Sequence, residues 1–366
     1  MPPSLFDEFT ESTQIARTDR ALARQLLLHY KTCTLLPPTN GLIRSTCIAL
    51  AWNVQQARIV FNEHPELIRA VISDAPCANA LAVWGDEKRH WIVITEGLMV
   101  LLRDAAEVNA ARILEAFPTV FASAVGRRVQ AATPLQGFQT MLGALLYFGA
   151  ISFVASHELG HHLAGHGAWF NSEGSKGSGG VKQNLRSRWD VPHALERQAD
   201  AIGVGAAILS INKLMARFFA MTVLTPEQRK DQQALVAIVF TAGVFTIAAR
   251  LIPDAIDAGQ VPATGHPPNV YRMIKIAATL MRPLRSLALL DDPTRKWIRI
   301  KCLEIVLGPH LHLKGARHPA PDDPAAPAAA RLHGIRQALY DPSFQAYMNQ
   351  LDTGFRLFKE NLSSSS

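Results

Sequence analysis

Apolar positions recur at helical spacing through the early part of the chain. Residues 14 to 70 read as helical, with Leu22, Leu26, Leu27 and Tyr30 on the repeat and Pro37-Pro38 as a break. The texture then changes. Asn79 to Val83, a polar turn at Gly85-Asp86-Glu87-Lys88, and Trp91 to Thr95 have the alternation and turn chemistry of a β-hairpin. Helical pattern returns from Gly97 to Leu114, and an uncharged run from Val129 to Ser156 leads into His157.

Further on, Ser172 to Gly180 is glycine- and serine-rich, a composition that packs no core and predicts a mobile surface connection. A helix is expected from Pro192 to about Phe219. Another starts at Thr225-Pro226-Glu227, with Thr225 as N-cap and Pro226 in the first turn, and ends before Pro253. Residues 316 to 330, rich in Ala, Pro and Asp, predict an extended or disordered linker, followed by a short helix and the tail Ser363 to Ser366. No internal repeat is present. The expected fold class is α+β, mostly helical, with an active-site helix packed under a small sheet or hairpin. The expected divisions are an N-terminal helical region (1–70), a central domain (71–282) and a C-terminal helical extension (283–366).

Composition narrows this picture. The 366 residues are 48% hydrophobic and 18% charged, enough to bury a sizeable core and unlike a disordered chain. The formal charge is +7, but the basic residues are scattered, so the charge predicts an ordinary basic surface and no nucleic-acid partner. Cys33, Cys47, Cys77 and Cys302 form no CxxC pair, and the N-terminus has no apolar leader, which points to a reducing, cytoplasmic setting. Two stretches imitate membrane spans. Ala234 to Ala249 has 16 uncharged residues, short of the ~20 needed, and Val129 to Ser156 contains three glutamines and Pro134. Buried helices account for both, so membrane association is possible but not favoured.

The chemistry centres on Ser156-His157-Glu158-Leu159-Gly160-His161. Four residues apart on a helix, His157 and His161 face one side and can share one ion. Glu158, about 100° round the helix, can reach a water on that metal and accept its proton. HExxH arises by chance in roughly 2% of such chains, so the motif alone is a lead and a third ligand must decide. Glu196 and Asp200 lie four apart downstream. Glu196 can complete a His₂Glu zinc site, one ion per chain, and Asp200 can accept a hydrogen bond from the far nitrogen of a ligating histidine. A third histidine is the rival, but the offsets it requires are filled by Ala164 and Gly167. His162 and His166 are expected outside the ligand set, in its surroundings or at the surface.

Taken together these residues resemble the gluzincin zinc metallopeptidases of the HtpX and CAAX-prenyl-protease type. The motifs fall in that family's order over roughly residues 70 to 280: Asn79-Ala80 leading to Ile92 through Leu98, HELGH at 157 to 161, Glu196 to Asp200, and Gly265-His266-Pro267-Pro268 with Arg272. The resemblance implies a metalloendopeptidase acting on protein or peptide substrates. It implies that Asn79 and Ala80 edge the cleft and bind substrate as an added strand, that His266 helps stabilise the oxyanion, and that Arg272 orders its loop or touches substrate. Two other readings stay open: an inactive gluzincin-like binding or regulatory protein, and the same peptidase embedded in a membrane.

Overall fold

The computed structural model describes residues 5–39, 41–60, 64–166, 190–251 and 276–307. The glycine-serine stretch at 172–180, the segment with His266 and Arg272, and everything after 307 lie outside them. The described chain is mostly helical with one small mixed sheet. The elements are α1 (Leu5–Ala16), α2 (Arg20–Tyr30), α3 (Leu42–Val60), β1 (Ile68–Ser73), β2 (Ala80–Trp84), β3 (His90–Thr95), α4 (Glu96–Ala116), α5 (Pro118–Ala122), α6 (Ala124–Ala131), α7 (Met141–Leu163), α8 (Asp190–Phe218), α9 (Pro226–Leu251), α10 (Met281–Leu284) and α11 (Asp292–Leu307).

The strands lie in the order β1-β3-β2. β2 and β3 form the expected antiparallel hairpin, in a register that sets Ala80 opposite Ile94 and Trp84 opposite His90. β1 runs parallel to β3, with Ala70 beside Ile92. This strand corrects the reading of residues 14 to 70 as helical, since helix stops at Val60. The segment Ile68-Arg-Ala-Val-Ile-Ser shows no polar alternation because helices cover both faces of the sheet. On one face Ile68, Ala70, Ile72, Ile92 and Ile94 join the main core with α3, α4 and α7. On the other, Val71, Val83, Trp91 and Val93 pack against Leu22 and Leu26 of α2.

Asp19 ties that second layer together. It is almost fully buried and caps α2 by accepting from Leu22 N (2.9 Å), while the Trp91 indole donates to its other oxygen at 2.8 Å. The N–H of Asp86 in the hairpin turn donates to the same carboxylate, so one buried charge positions helix, strand and turn together.

α7 is the axis of the molecule, with α3, α4, α8 and α9 packed around it. Every side chain from Leu142 to His162 is buried. The uncharged run from Val129 to Ser156 is divided between two helices: α6 ends at Ala131, and α7 begins after Thr140, whose hydroxyl accepts from Gly143 N at 2.9 Å. Pro134 and Gly137 (φ +91°) lie in the break. At the start of α9, Thr225 and Gln228 exchange side-chain-to-backbone hydrogen bonds at 3.3 and 3.0 Å, a reciprocal cap on the predicted N-cap residue. The segments Met141–Leu163, Leu195–Phe218 and Pro226–Ala248 are each long and apolar enough to cross a membrane; the most apolar stretch of the first is wholly buried inside the protein.

Candidate metal centre

His157 and His161 lie one turn apart near the end of α7, both buried, with their Nε2 atoms 3.2 Å from each other. α8 crosses α7 at this point, and the crossing is close because small residues meet there. A Cβ on Gly160 would come within 2.9 Å of the Ala199 backbone, and one on Gly203 within 3.0 Å of the His157 backbone. Asn53 of α3 fastens the two helices further along, donating to Ser152 Oγ of α7 (3.1 Å) and accepting from Ser210 Oγ of α8 (2.7 Å).

The crossing delivers Glu196 to the histidines. Its carboxylate oxygens lie 3.4 Å from His157 Nε2 and 3.6 Å from His161 Nε2. Ligands on a tetrahedral ion with bonds of ~2.0–2.1 Å are separated by about 3.3 Å. The separations, 3.2 Å between the imidazoles and 3.4 and 3.6 Å to the nearer Glu196 oxygen (Oε2 for His157, Oε1 for His161), lie close to that value. One ligand atom from each residue lies within 4.8 Å of the others, so His157, His161 and Glu196 can hold a single metal ion.

Asp200, one turn beyond Glu196 and also buried, places Oδ1 2.9 Å from His157 Nδ1. Two opposing effects act on His157: burial disfavours its charged form, but Asp200 and then Glu196 outweigh it and push the imidazole up to about 10. His161 goes the other way, down to about 3, through burial and the charge on His157. Without a metal the pair therefore carries a single positive charge, on His157, at the place where a cation fits.

The neighbouring histidines do not join the ligand set. His162 turns to the sheet, with Nε2 3.1 Å from Trp91 O, Nδ1 3.0 Å from His90 Nδ1, and its ring edge-on to Trp84 at 4.7 Å. Burial, then His90, pulls it down to about 3, so it is neutral and Nε2–H donates to the carbonyl. His166 is buried, with Nδ1 2.8 Å from His161 Nδ1.

Glu158 is buried beside the histidines. Tyr30, the last residue of α2, lies where that carboxylate is felt: burial, then the charges of Glu158 and Cys77, push its phenol above the usual range. The Tyr30 hydroxyl is itself buried and has no hydrogen-bond partner among the described residues. Buried hydroxyls are ordinarily paired, so this one is available to donate to another molecule.

β2 is the outer strand on its side of the sheet among the described residues. Asn79 and Gly85 bond towards β3, through Thr95 N to Asn79 O (3.1 Å) and Gly85 N to Arg89 O (2.8 Å). In this register the backbone groups of Ala80, Ala82 and Trp84 point away from β3. Asn79 accepts Ala80 N on its own side-chain oxygen at 2.9 Å, which occupies the first outward N–H. His266 and Arg272 lie outside the described residues.

Sequence reasoning missed Tyr30, Gly203 and Gln198. Gly203 carried a signal, since it follows Glu196 by two helical turns on the same face. Tyr30 carried none, being more than a hundred residues upstream and one aromatic position on an apolar repeat. Comparison with protein families, curated proteins and solved structures finds no match to this chain.

Proposed function

We propose that the chain is a zinc-dependent metalloendopeptidase of the gluzincin type, with His157, His161 and Glu196 as the zinc ligands and Glu158 as the general base. The observation that carries the proposal is the convergence of two imidazole Nε2 atoms and one carboxylate at 3.2 to 3.6 Å, with Glu158 adjacent on the same helix. Zinc held by these three supplies Lewis acidity to a scissile carbonyl and an attacking water.

The remaining roles belong to the protein. Glu158 takes a proton from the water and returns it to the leaving amine. Asp200 keeps the proton of His157 on Nδ1, leaving Nε2 free to bind. The outward carbonyl of Ala80 and the outward backbone groups of Ala82 suit an extended peptide added to the sheet. Tyr30 offers a hydroxyl to the developing oxyanion from within the described residues; the family resemblance gives that part to His266. A zincin-like arrangement, with the active helix under an edge strand, is supported by the contacts of α7 with β2 and β3 through His162.

The test combines metal analysis with an unfolded protein as substrate. Wild type is expected to hold one zinc per chain, and both His157→Ala and Glu196→Ala to lose it. Glu158→Gln is expected to keep zinc and cleave nothing; cleavage at the wild-type rate would falsify the role of Glu158. Wild type that holds zinc but cleaves nothing favours a binding or regulatory scaffold. The same peptidase embedded in a membrane is a second reading, favoured by the three long apolar helices. Retention in the pellet after alkaline carbonate extraction supports it, and release supports a cytoplasmic protein.

A further inference from the structure

We infer that His166 and Gln198 form a hydrogen-bonded relay that fixes the tautomer of His161 and thereby sets how tightly the metal is held; this rests on the reading of His157, His161 and Glu196 as ligands. The observation is a chain of three side chains. His161 Nδ1 lies 2.8 Å from His166 Nδ1, and His166 Nε2 lies 3.1 Å from Gln198 Oε1.

Local structure puts His166 there. α7 ends at Leu163, and Gly165 adopts φ +69°, the left-handed conformation that glycine tolerates at a helix C-terminus. Its N–H bonds back to His162 O at 3.1 Å, and the reversed chain brings His166 against the ring of His161, centroids 5.0 Å apart. His166 is 1% exposed, so it is not a surface residue of the loop.

The proton positions follow in order. A neutral imidazole that binds a metal through Nε2 carries its proton on Nδ1. His161 Nδ1–H must then donate to His166 Nδ1, which has to be a lone pair. The His166 proton therefore sits on Nε2 and donates to Gln198 Oε1, an acceptor. Reversing the chain puts a proton on His161 Nε2, 3.2 Å from His157 Nε2, and closes the site to a cation. Gln198 thus favours the binding-competent tautomer from two residues away.

The two ligand histidines are backed differently. His157 leans on the carboxylate of Asp200, whereas His161 leans on a neutral chain. A neutral partner raises ligand basicity less than an anion does, so the metal keeps more of its electron deficiency. Both supports and the ligand Glu196 belong to α8 or are held by it, so docking α8 on α7 completes the site in one step.

The experiment measures zinc affinity of the full chain by competition with a chromophoric chelator, beside the melting temperature of the metal-free protein. His166→Leu and Gln198→Leu are expected to weaken binding about 10- to 100-fold and about tenfold respectively. Gln198→Glu keeps an acceptor and adds charge, and is expected to bind zinc at least as tightly as wild type. A packing role alone would not produce that rescue. Wild-type affinity in His166→Leu, or equal weakening in Gln198→Leu and Gln198→Glu, overturns the relay while leaving the ligand set intact. Should His166→Leu fail to fold, the two variants of the half-buried Gln198 decide the matter. A wild-type chain that binds no zinc overturns the ligand reading, and the relay falls with it.

Discussion

Gly203 of α8 lies against the main chain of His157 on α7, so closely that a methyl group on it would sit 3.0 Å from His157 N and Cα. This contact sets the helix separation that lets Glu196 and Asp200 reach the imidazoles. Gly203→Val should push the helices apart, destabilising the fold by about 1–3 kcal/mol and weakening metal binding. Gly205, where an added Cβ meets nothing within 4 Å, is the control: Gly205→Ala should stabilise by roughly 1 kcal/mol and leave metal affinity alone. Denaturant melts and zinc titration check both.

Tyr30→Phe separates chemistry from folding. The hydroxyl has no partner among the described residues, so its removal should leave the melting temperature equal or higher. If it serves the oxyanion, kcat should fall about 100-fold with zinc affinity unchanged. Unchanged kcat dismisses Tyr30 from the reaction.

Ala82→Pro tests the sheet edge. The Ala82 N–H points away from β3, so proline there removes no ladder bond and the hairpin should survive. An added substrate strand would lose a donor and meet the ring. The expected result is a fall in kcat/KM of about tenfold, worth about 1.4 kcal/mol, with zinc retained.

His162 predicts the acid limb of stability. Its folded value is pushed down from 6.5 to about 3, chiefly by burial and then by His90. Between those values the unfolded chain binds a proton that the folded chain refuses, so stability rises with pH across the window and falls on acidification below about 6.5. His162→Gln keeps a donor for Trp91 O and does not titrate. Its melting temperature should fall less steeply between pH 6.5 and pH 4 than that of wild type, as thermal melts across that range will show.

Much of the architecture is legible in the residues. The hairpin at 79–95 shows in its alternation and turn, α9 in its Thr225-Pro226 start, and the paired histidines in their four-residue spacing, because these depend on neighbours in the chain. β1 is not legible: buried on both faces, Ile68 to Ser73 lacks the alternation that identifies a strand. The break between α6 and α7 falls within a run that carries no charge to mark it, although Pro134 and Gly137 lie there.

By itself the sequence determines which side chains share a helical face: His157 with His161, Glu196 with Asp200. Only the tertiary structure decides that these two faces meet, that Tyr30 arrives from α2, and that His166 turns back to His161 and Gln198. The reason is physical. Spacing along one helix follows from 3.6 residues per turn, whereas the approach of two helices depends on the shape of every side chain between them. Here that shape is the absence of side chains at Gly160 and Gly203.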